Sequence, residues 1–199
     1  MNSPAAAEDP TLTRKERTHL RILEAASRVL REKGYAGVGV AEVMREAGLT
    51  HGGFYAHFPS REALLAEAVN YSGAKTAARV QRSVDAAEAR GTSPLRAFID
   101  SYLDERHLSL SGESCPVAAL CSDMPRQAAE VREASSARVR RMIAAVERKL
   151  PAHVGTEHAA LITGTLIGTL QMARAIGSVD EGREVLAAAR KTLIEQYDL

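Results

Sequence analysis

Apolar positions recur at three- and four-residue intervals along almost the whole chain, the spacing that gathers them on one face of a helix. Between residues 13 and 34 the stripe is Ile22, Leu23, Ala26, Val29 and Leu30. Thr13 and Glu16 have the spacing of a capping box, which satisfies free backbone donors at a helix start, and Gly34 predicts the stop. Two shorter helices are predicted within residues 40–58, VAEVMREAGLTHGGFYAHF, with a turn at Gly48 between them. Ala41, Val43, Met44 and Ala47 give the first its apolar face, while Leu49 and Phe54 plug the second into a core that also takes Phe58. Ser60 as N-cap and Glu62 in the first turn then open a helix whose buried face is Leu64, Leu65, Ala68 and Val69. Gly73 predicts its end or a bend, and a domain boundary there.

The remainder also reads as helices. The punctuation predicts one over about 74–91, one from Ser93-Pro94 to about His107, and a short one from Pro116 to about Ser122. A long helix should open at Pro125 and end before Pro151. Residues 157–176 are apolar nearly all round, and Ser178 with Glu181 forms a second capping box before the stripe Val185, Leu186, Ala189, Leu193 and Tyr197. Residues 109–114 read as a loop, and residues 1–12, with two prolines and no periodicity, as a disordered arm. No stretch reads as a strand, so the expected fold is all-α: a small N-terminal three-helix unit over residues 13–73 and a larger helical region over 74–199.

Composition narrows the function classes. A chain of 199 residues that is 45% hydrophobic and 26% charged can bury a core and stay soluble. No basic start is followed by an apolar run, and the longest uncharged apolar stretch, 159–173, is 15 residues, short of the ~20 that a membrane span needs. With two cysteines and no export signal, a reducing cytoplasm is expected and no membrane partner. The net charge of +1 says nothing for nucleic acid, but its distribution does. Residues 13–34 hold Arg14, Lys15, Arg17, Arg21, Arg28, Arg31 and Lys33 against Glu16, Glu24 and Glu32. Such an excess permits a helix end to approach a phosphate backbone; a solvated helix face is the alternative.

The helix pair of residues 40–58 has the form of a helix-turn-helix, in which the first helix braces a second that enters the DNA major groove. Gly48 suits a turn needing positive φ. Gly52 and Gly53 give up roughly 1 kcal/mol each of helix propensity, which lets the backbone approach bases and phosphates closely. Thr50 is placed to cap the second helix and to donate to a phosphate. Tyr55 and His57 can reach the sugar-phosphate backbone, with Arg61 just beyond. Core packing for Tyr55 and simple exposure for His51 and His57 are the competing readings.

Residues 14–70 resemble the N-terminal domain of the TetR family of transcriptional repressors, through KGY at 33–35, the 40–58 segment with its Gly-x-Tyr-x-His-Phe ending, and SREALL at 60–65. The resemblance implies that Thr50, His51, Gly52 and Gly53 meet bases and phosphates of a double-stranded operator. It implies that Tyr55, His57 and Arg61 meet mostly phosphates. Where the family often has threonine or serine to cap the brace helix, this chain has Gly39, and Arg61 replaces a more usual lysine. The family also implies a homodimer and a C-terminal effector-binding and dimerisation domain. Leu161, Gly164 and Gly168, with Leu186 and Leu193, are the expected dimer interface; the alternative for residues 159–176 is an ordinary central core helix.

Candidate sensing chemistry lies in GESCPVAALCSDMP, residues 112–125. Cys115 stands before Pro116 at a short helix start, where a thiol pKa is lowered, and Cys121 could resolve an oxidised Cys115. The segment resembles that of family members responding to electrophiles, oxidants or aromatic compounds, although Glu113 and Ser114 separate Gly112 from Cys115. Two readings stand beside thiol sensing: both cysteines as small buried hydrophobes, and a pocket for a small hydrophobic effector lined by Phe98, Tyr102, Leu120, Met124 and Met172. The cysteine spacing fits neither zinc nor a thioredoxin-type motif, so no metal or cofactor is expected. A thiol-dependent enzyme acting on peroxides or electrophiles through Cys115 and His107 is the competing class; it has no placed general base and leaves the N-terminal motif unexplained.

Overall fold

Helix α1 (Arg14–Lys33) starts at the predicted capping box: the Thr13 hydroxyl accepts from the Glu16 amide at 3.2 Å, and the Glu16 carboxylate from the Thr13 amide at 2.7 Å. The computed structural model describes residues 11–108 and 114–198, and all regular structure among them is helical. The arm expected over residues 1–10 and the loop over residues 109–113 lie outside the described residues. The stripe Ile22, Leu23, Ala26, Val29 and Leu30 is buried, and Gly34 ends α1 at φ +70°. Helix α2 (Val40–Glu46) buries Val43 and Met44 and turns at Gly48, whose φ of +67° is open chiefly to glycine. The Arg21 guanidinium donates to the Ala47 carbonyl at this turn, tying α1 to the end of α2.

Helix α3 (Arg61–Glu88) departs from the sequence reading. It opens at the Ser60 N-cap as expected but runs unbroken for 28 residues, straight through Gly73. The expected division at residues 73/74 therefore falls inside one helix. Arg138 crosses α3 at Gly73: a Cβ on residue 73 would stand 2.4 Å from the Arg138 Cδ. The N-terminal half of α3 packs on α1, with the Ser27 hydroxyl donating to the Ala68 carbonyl at 3.1 Å, and α3 also packs against α4 (Pro94–Tyr102) and α6 (Ala129–Glu147).

Other boundaries shift for local reasons. Helix α4 ends at Tyr102, and a separate 3₁₀ turn, Glu105–His107, is capped by the Asp104 carboxylate. Helix α5 covers Pro116–Leu120. Pro125 sits in a 3₁₀ turn, Met124–Arg126, and α6 begins only at Ala129. Helices α7 (His158–Ala175) and α8 (Val179–Tyr197) pack on each other, and the Ser178 hydroxyl accepts from the Glu181 amide at the start of α8. No helix among the described residues is long and apolar enough to cross a membrane.

His107 sets a pH dependence. It is buried, and desolvation lowers its pKa to about 4, helped by Arg79, Arg106 and Arg174 and opposed by Asp104. The unfolded chain then binds a proton at higher pH than the folded one, near 6.5. Stability is full above pH 6.5 and is expected to fall toward pH 4, by up to about 1.4 kcal/mol per pH unit from this group. Urea midpoints across that window should be flatter for His107→Gln; an unchanged slope would mean that other groups control it.

Candidate nucleic-acid interface

The second element of the helix-turn-helix is a 3₁₀ helix, His51–Ala56, rather than an α-helix. Two glycines in six residues leave little α propensity, and the segment closes instead through Gly53 N to Thr50 O at 3.1 Å and His57 N to Phe54 O at 2.9 Å. The Thr50 side chain makes no cap bond, contrary to expectation, and is exposed. What holds the segment is aromatic. Phe54 and Phe58 are 1% exposed and stacked at 5.8 Å, and His19 of α1 stacks on Phe58 at 4.5 Å while its Nε2 meets Glu67 at 2.7 Å.

Above that anchor Tyr55 is 71% exposed, its ring edge-on to Phe54 at 5.2 Å. His51 and Gly52 are also exposed, and Gly53 is half-buried. A Cβ at Gly52 would meet nothing within 4 Å, so no contact inside the chain requires glycine there. His57 is half-buried, and its Nδ1 is buried without a hydrogen-bond partner among the described residues. Desolvation first, then His19 and Lys15, lowers the His57 pKa, which keeps the ring neutral near neutral pH. The His19 ring of α1 lies 5.9 Å from the His57 ring, so α1 borders the recognition segment.

Arg61 does something the sequence did not suggest. Its Nε donates to the Val38 carbonyl at 2.9 Å, another guanidinium nitrogen donates to the Tyr35 carbonyl, and Glu62 lies 3.7 Å away. The side chain expected on phosphate holds the loop between α1 and α2. Tyr35 on that loop is buried, and its hydroxyl meets Ser135 of α6 at 3.0 Å. The basic excess of α1 is also smaller than its own sequence implied. Arg28 pairs with Glu46 and Lys33 with Glu42, both on α2, and Arg31 is buried. Arg14 and Lys15 remain exposed and make no ion pair among the described residues.

The sensing and dimer candidates separate into two groups. Phe98, Tyr102, Leu120, Met124 and Cys115 are buried, Phe98 and Tyr102 stack at 6.2 Å, and Cys121 is half-buried; both cysteines are free thiols. Met172 does not join them. It is 58% exposed and shares an open face of α7 with Leu161, which is 57% exposed, and with Gly164 and Gly168. Leu186 and Leu193, expected at a dimer interface, are buried within their own chain, because the α8 stripe faces inward. Two surface clefts, of about 500 and 410 Å³, lie around Arg96 and Asp100, and neither is lined by a sensing candidate.

Comparison with known proteins agrees with this geometry. Residues 22–68 match the family model "Bacterial regulatory proteins, tetR family". The chain is 30% identical to the HTH-type transcriptional regulator LmrA of Bacillus subtilis over 135 residues, covering 65% of this chain and 69% of that one. It is 28% identical to an HTH-type transcriptional regulator of Mycobacterium tuberculosis over 165 residues, 77% of this chain and 82% of the relative. Its fold is shared with a TetR regulator from Chloroflexus aurantiacus (TM-score 0.73, 21% identity, 94% and 98% of the two chains covered). It is shared as well with the reduced form of E. coli NemR (0.69, 20%, 87% and 95%). These relatives and neighbours are regulators, which sets aside the thiol-enzyme reading, and the chain belongs to the TetR family of helix-turn-helix transcriptional regulators.

Proposed function

We propose that the protein is a dimeric repressor that occupies a palindromic DNA operator and leaves it when its C-terminal region takes up a small hydrophobic or electrophilic effector. The observation that carries this reading is the exposed surface of His51, Gly52 and Tyr55 standing on the buried Phe54–Phe58 anchor. Tyr55 offers a hydroxyl to phosphate, the glycines allow close approach to the duplex, and Arg14 and Lys15 add charge. Gel shift with a duplex from the chain's own upstream region tests it. Tyr55→Ala should weaken binding about tenfold, the scale of one lost polar contact of about 1.4 kcal/mol, at unchanged melting temperature. Equal affinity would leave the Tyr55 ring a bystander.

Dimerisation is supported by the open face of α7, where Leu161 and Met172 stand three turns apart with Gly164 and Gly168 between them. Glycines there allow close approach of a second helix. Leu161→Glu should weaken self-association about tenfold or more by placing a charge against apolar surface. Sedimentation equilibrium reads this; an unchanged association constant would put the interface elsewhere.

Release requires that the two recognition segments, spaced about 34 Å apart on a duplex, be favoured in another spacing when effector is bound. Two links are suited to carry that change: the Tyr35–Ser135 hydrogen bond between the α1–α2 loop and α6, and α3, whose first residue holds the same loop. Cys115, 4% exposed, suits an electrophile that enters the interior rather than one acting from the surface.

A further inference from the structure

A column of rings runs from α1 to the recognition segment, and it begins with a titratable one. His19 stacks on Phe58 at 4.5 Å with 22° between the ring planes, and Phe58 stacks on Phe54 at 5.8 Å. Phe54 carries the exposed Tyr55 ring edge-on at 5.2 Å. His57 lies beside the head of the column, its ring 5.9 Å from that of His19. The His19 Nε2 also meets the Glu67 carboxylate of α3 at 2.7 Å. One imidazole thus links α1, α3 and the recognition segment.

The charge of this linkage depends on one proton. With His19 protonated, imidazolium and carboxylate cancel; with His19 neutral, Glu67 leaves an uncompensated negative charge at the border of the recognition segment. Glu67 makes no other ion pair among the described residues. On α1 itself Lys15 and Glu16 stand one turn before His19, and Glu16 is bonded to the Thr13 amide and hydroxyl. His57 is the titratable group of the recognition segment against the ring. Its pKa is held low, by desolvation first and then by His19 and Lys15, so it stays neutral near neutral pH. A histidine beside a carboxylate, by contrast, is suited to change charge near physiological pH.

We propose that the His19–Glu67 pair couples DNA binding to proton uptake: the duplex is bound by the chain with His19 protonated, and affinity rises as pH falls from 8 to 6. The proposal rests on the reading of the surface at His51, Gly52 and Tyr55 as the one that contacts DNA. Phosphates on that surface repel an uncompensated Glu67 carboxylate and favour the cancelled pair. By reciprocity, bound DNA raises the proton occupancy of His19 as much as protonation raises affinity for DNA. A carboxylate only accepts, so the His19 Nε2 carries a hydrogen, and the proton taken from solvent goes to Nδ1. Protonation also tightens the hold on the recognition segment. The bond to Glu67 gains charge on its donor, and a cation then faces the Phe58 ring.

The test is fluorescence anisotropy of a labelled duplex from the chain's own upstream region, at pH 6, 7 and 8 and constant ionic strength, with parent and His19→Phe. Phenylalanine keeps a ring against Phe58 and removes the proton, while His51 and His57 are present in both chains. The parent should bind about fivefold more tightly at pH 6 than at pH 8, the scale of one charge near a phosphate at close to water's dielectric. That difference should shrink as salt rises. His19→Phe, shown by thermal melting to be folded at each pH, should lose most of it. A second readout needs no variant to fold: in proton NMR of the full parent chain, the His19 ring resonance should titrate at higher pH with duplex bound than without it. No pH difference in the parent, an equal one in His19→Phe, or a His19 titration unmoved by duplex would each overturn the proposal and leave the DNA-contacting surface standing. No binding at any pH would overturn both.

Discussion

Phe54→Ala is expected to destabilise the protein by about 3–5 kcal/mol, the range for removing a fully buried phenylalanine, and to abolish DNA binding near the temperature where the parent still binds. Phe54 is 1% exposed and joins three things at once: it stacks on Phe58, supports the Tyr55 ring edge-on, and pins a 3₁₀ segment with little propensity of its own. Six residues with two glycines cannot hold a conformation by local bonds alone. Urea unfolding followed by circular dichroism measures the loss, and gel shift the consequence. Lost binding with an unchanged urea midpoint would mean that Phe54 touches DNA instead of anchoring the segment.

The second large effect is at Arg61. Arg61→Lys is expected to cost about 2–4 kcal/mol, from two charge-assisted bonds to main-chain carbonyls that one ammonium cannot replace together. Its fork reaches both the Val38 and Tyr35 carbonyls, and its side chain is only 34% exposed. Loss of that clamp should loosen the α1–α2 loop and with it the seat of the helix-turn-helix. The substitution discriminates well, because a phosphate contact would survive an exchange of one cation for another. Full stability and affinity in Arg61→Lys would restore the phosphate role that the motif position suggests.

What was legible in the sequence was mostly local. Thr13 with Glu16, the stops at Gly34 and Gly48, and the burial of Phe54 and Phe58 all follow from residues within a few positions of one another. What was not legible depended on distant partners. Gly73 reads as a helix end until Arg138, 65 positions further on, is seen crossing it. Arg61 reads only as a phosphate ligand, because the carbonyls its fork holds lie 23 and 26 positions earlier. The basic run of α1 looks stronger in isolation than in the fold, where Glu42 and Glu46 of α2 take two of its cations.

The dimer candidates divide for a related reason. Helix α7 is apolar nearly all round, so periodicity could not say which face meets its own chain. In the fold Ile162, Leu166 and Leu170 turn inward while Leu161 and Met172 stay open. The stripe of α8 is apolar, as its spacing predicts, but Leu186 and Leu193 are buried within their own chain.

The surface around Tyr55 is proposed to read DNA as part of a regulator. Fluorescence anisotropy of a labelled duplex from the chain's own upstream region, titrated with protein at several salt concentrations, tests it most directly. Saturable binding of two chains per half-site pair is expected, stronger than to an unrelated duplex of equal length. Affinity should fall steeply as salt rises, because bound phosphates release counterions, and Tyr55→Ala should lower the curve throughout. Binding no stronger than to the unrelated duplex across the whole salt range would contradict it.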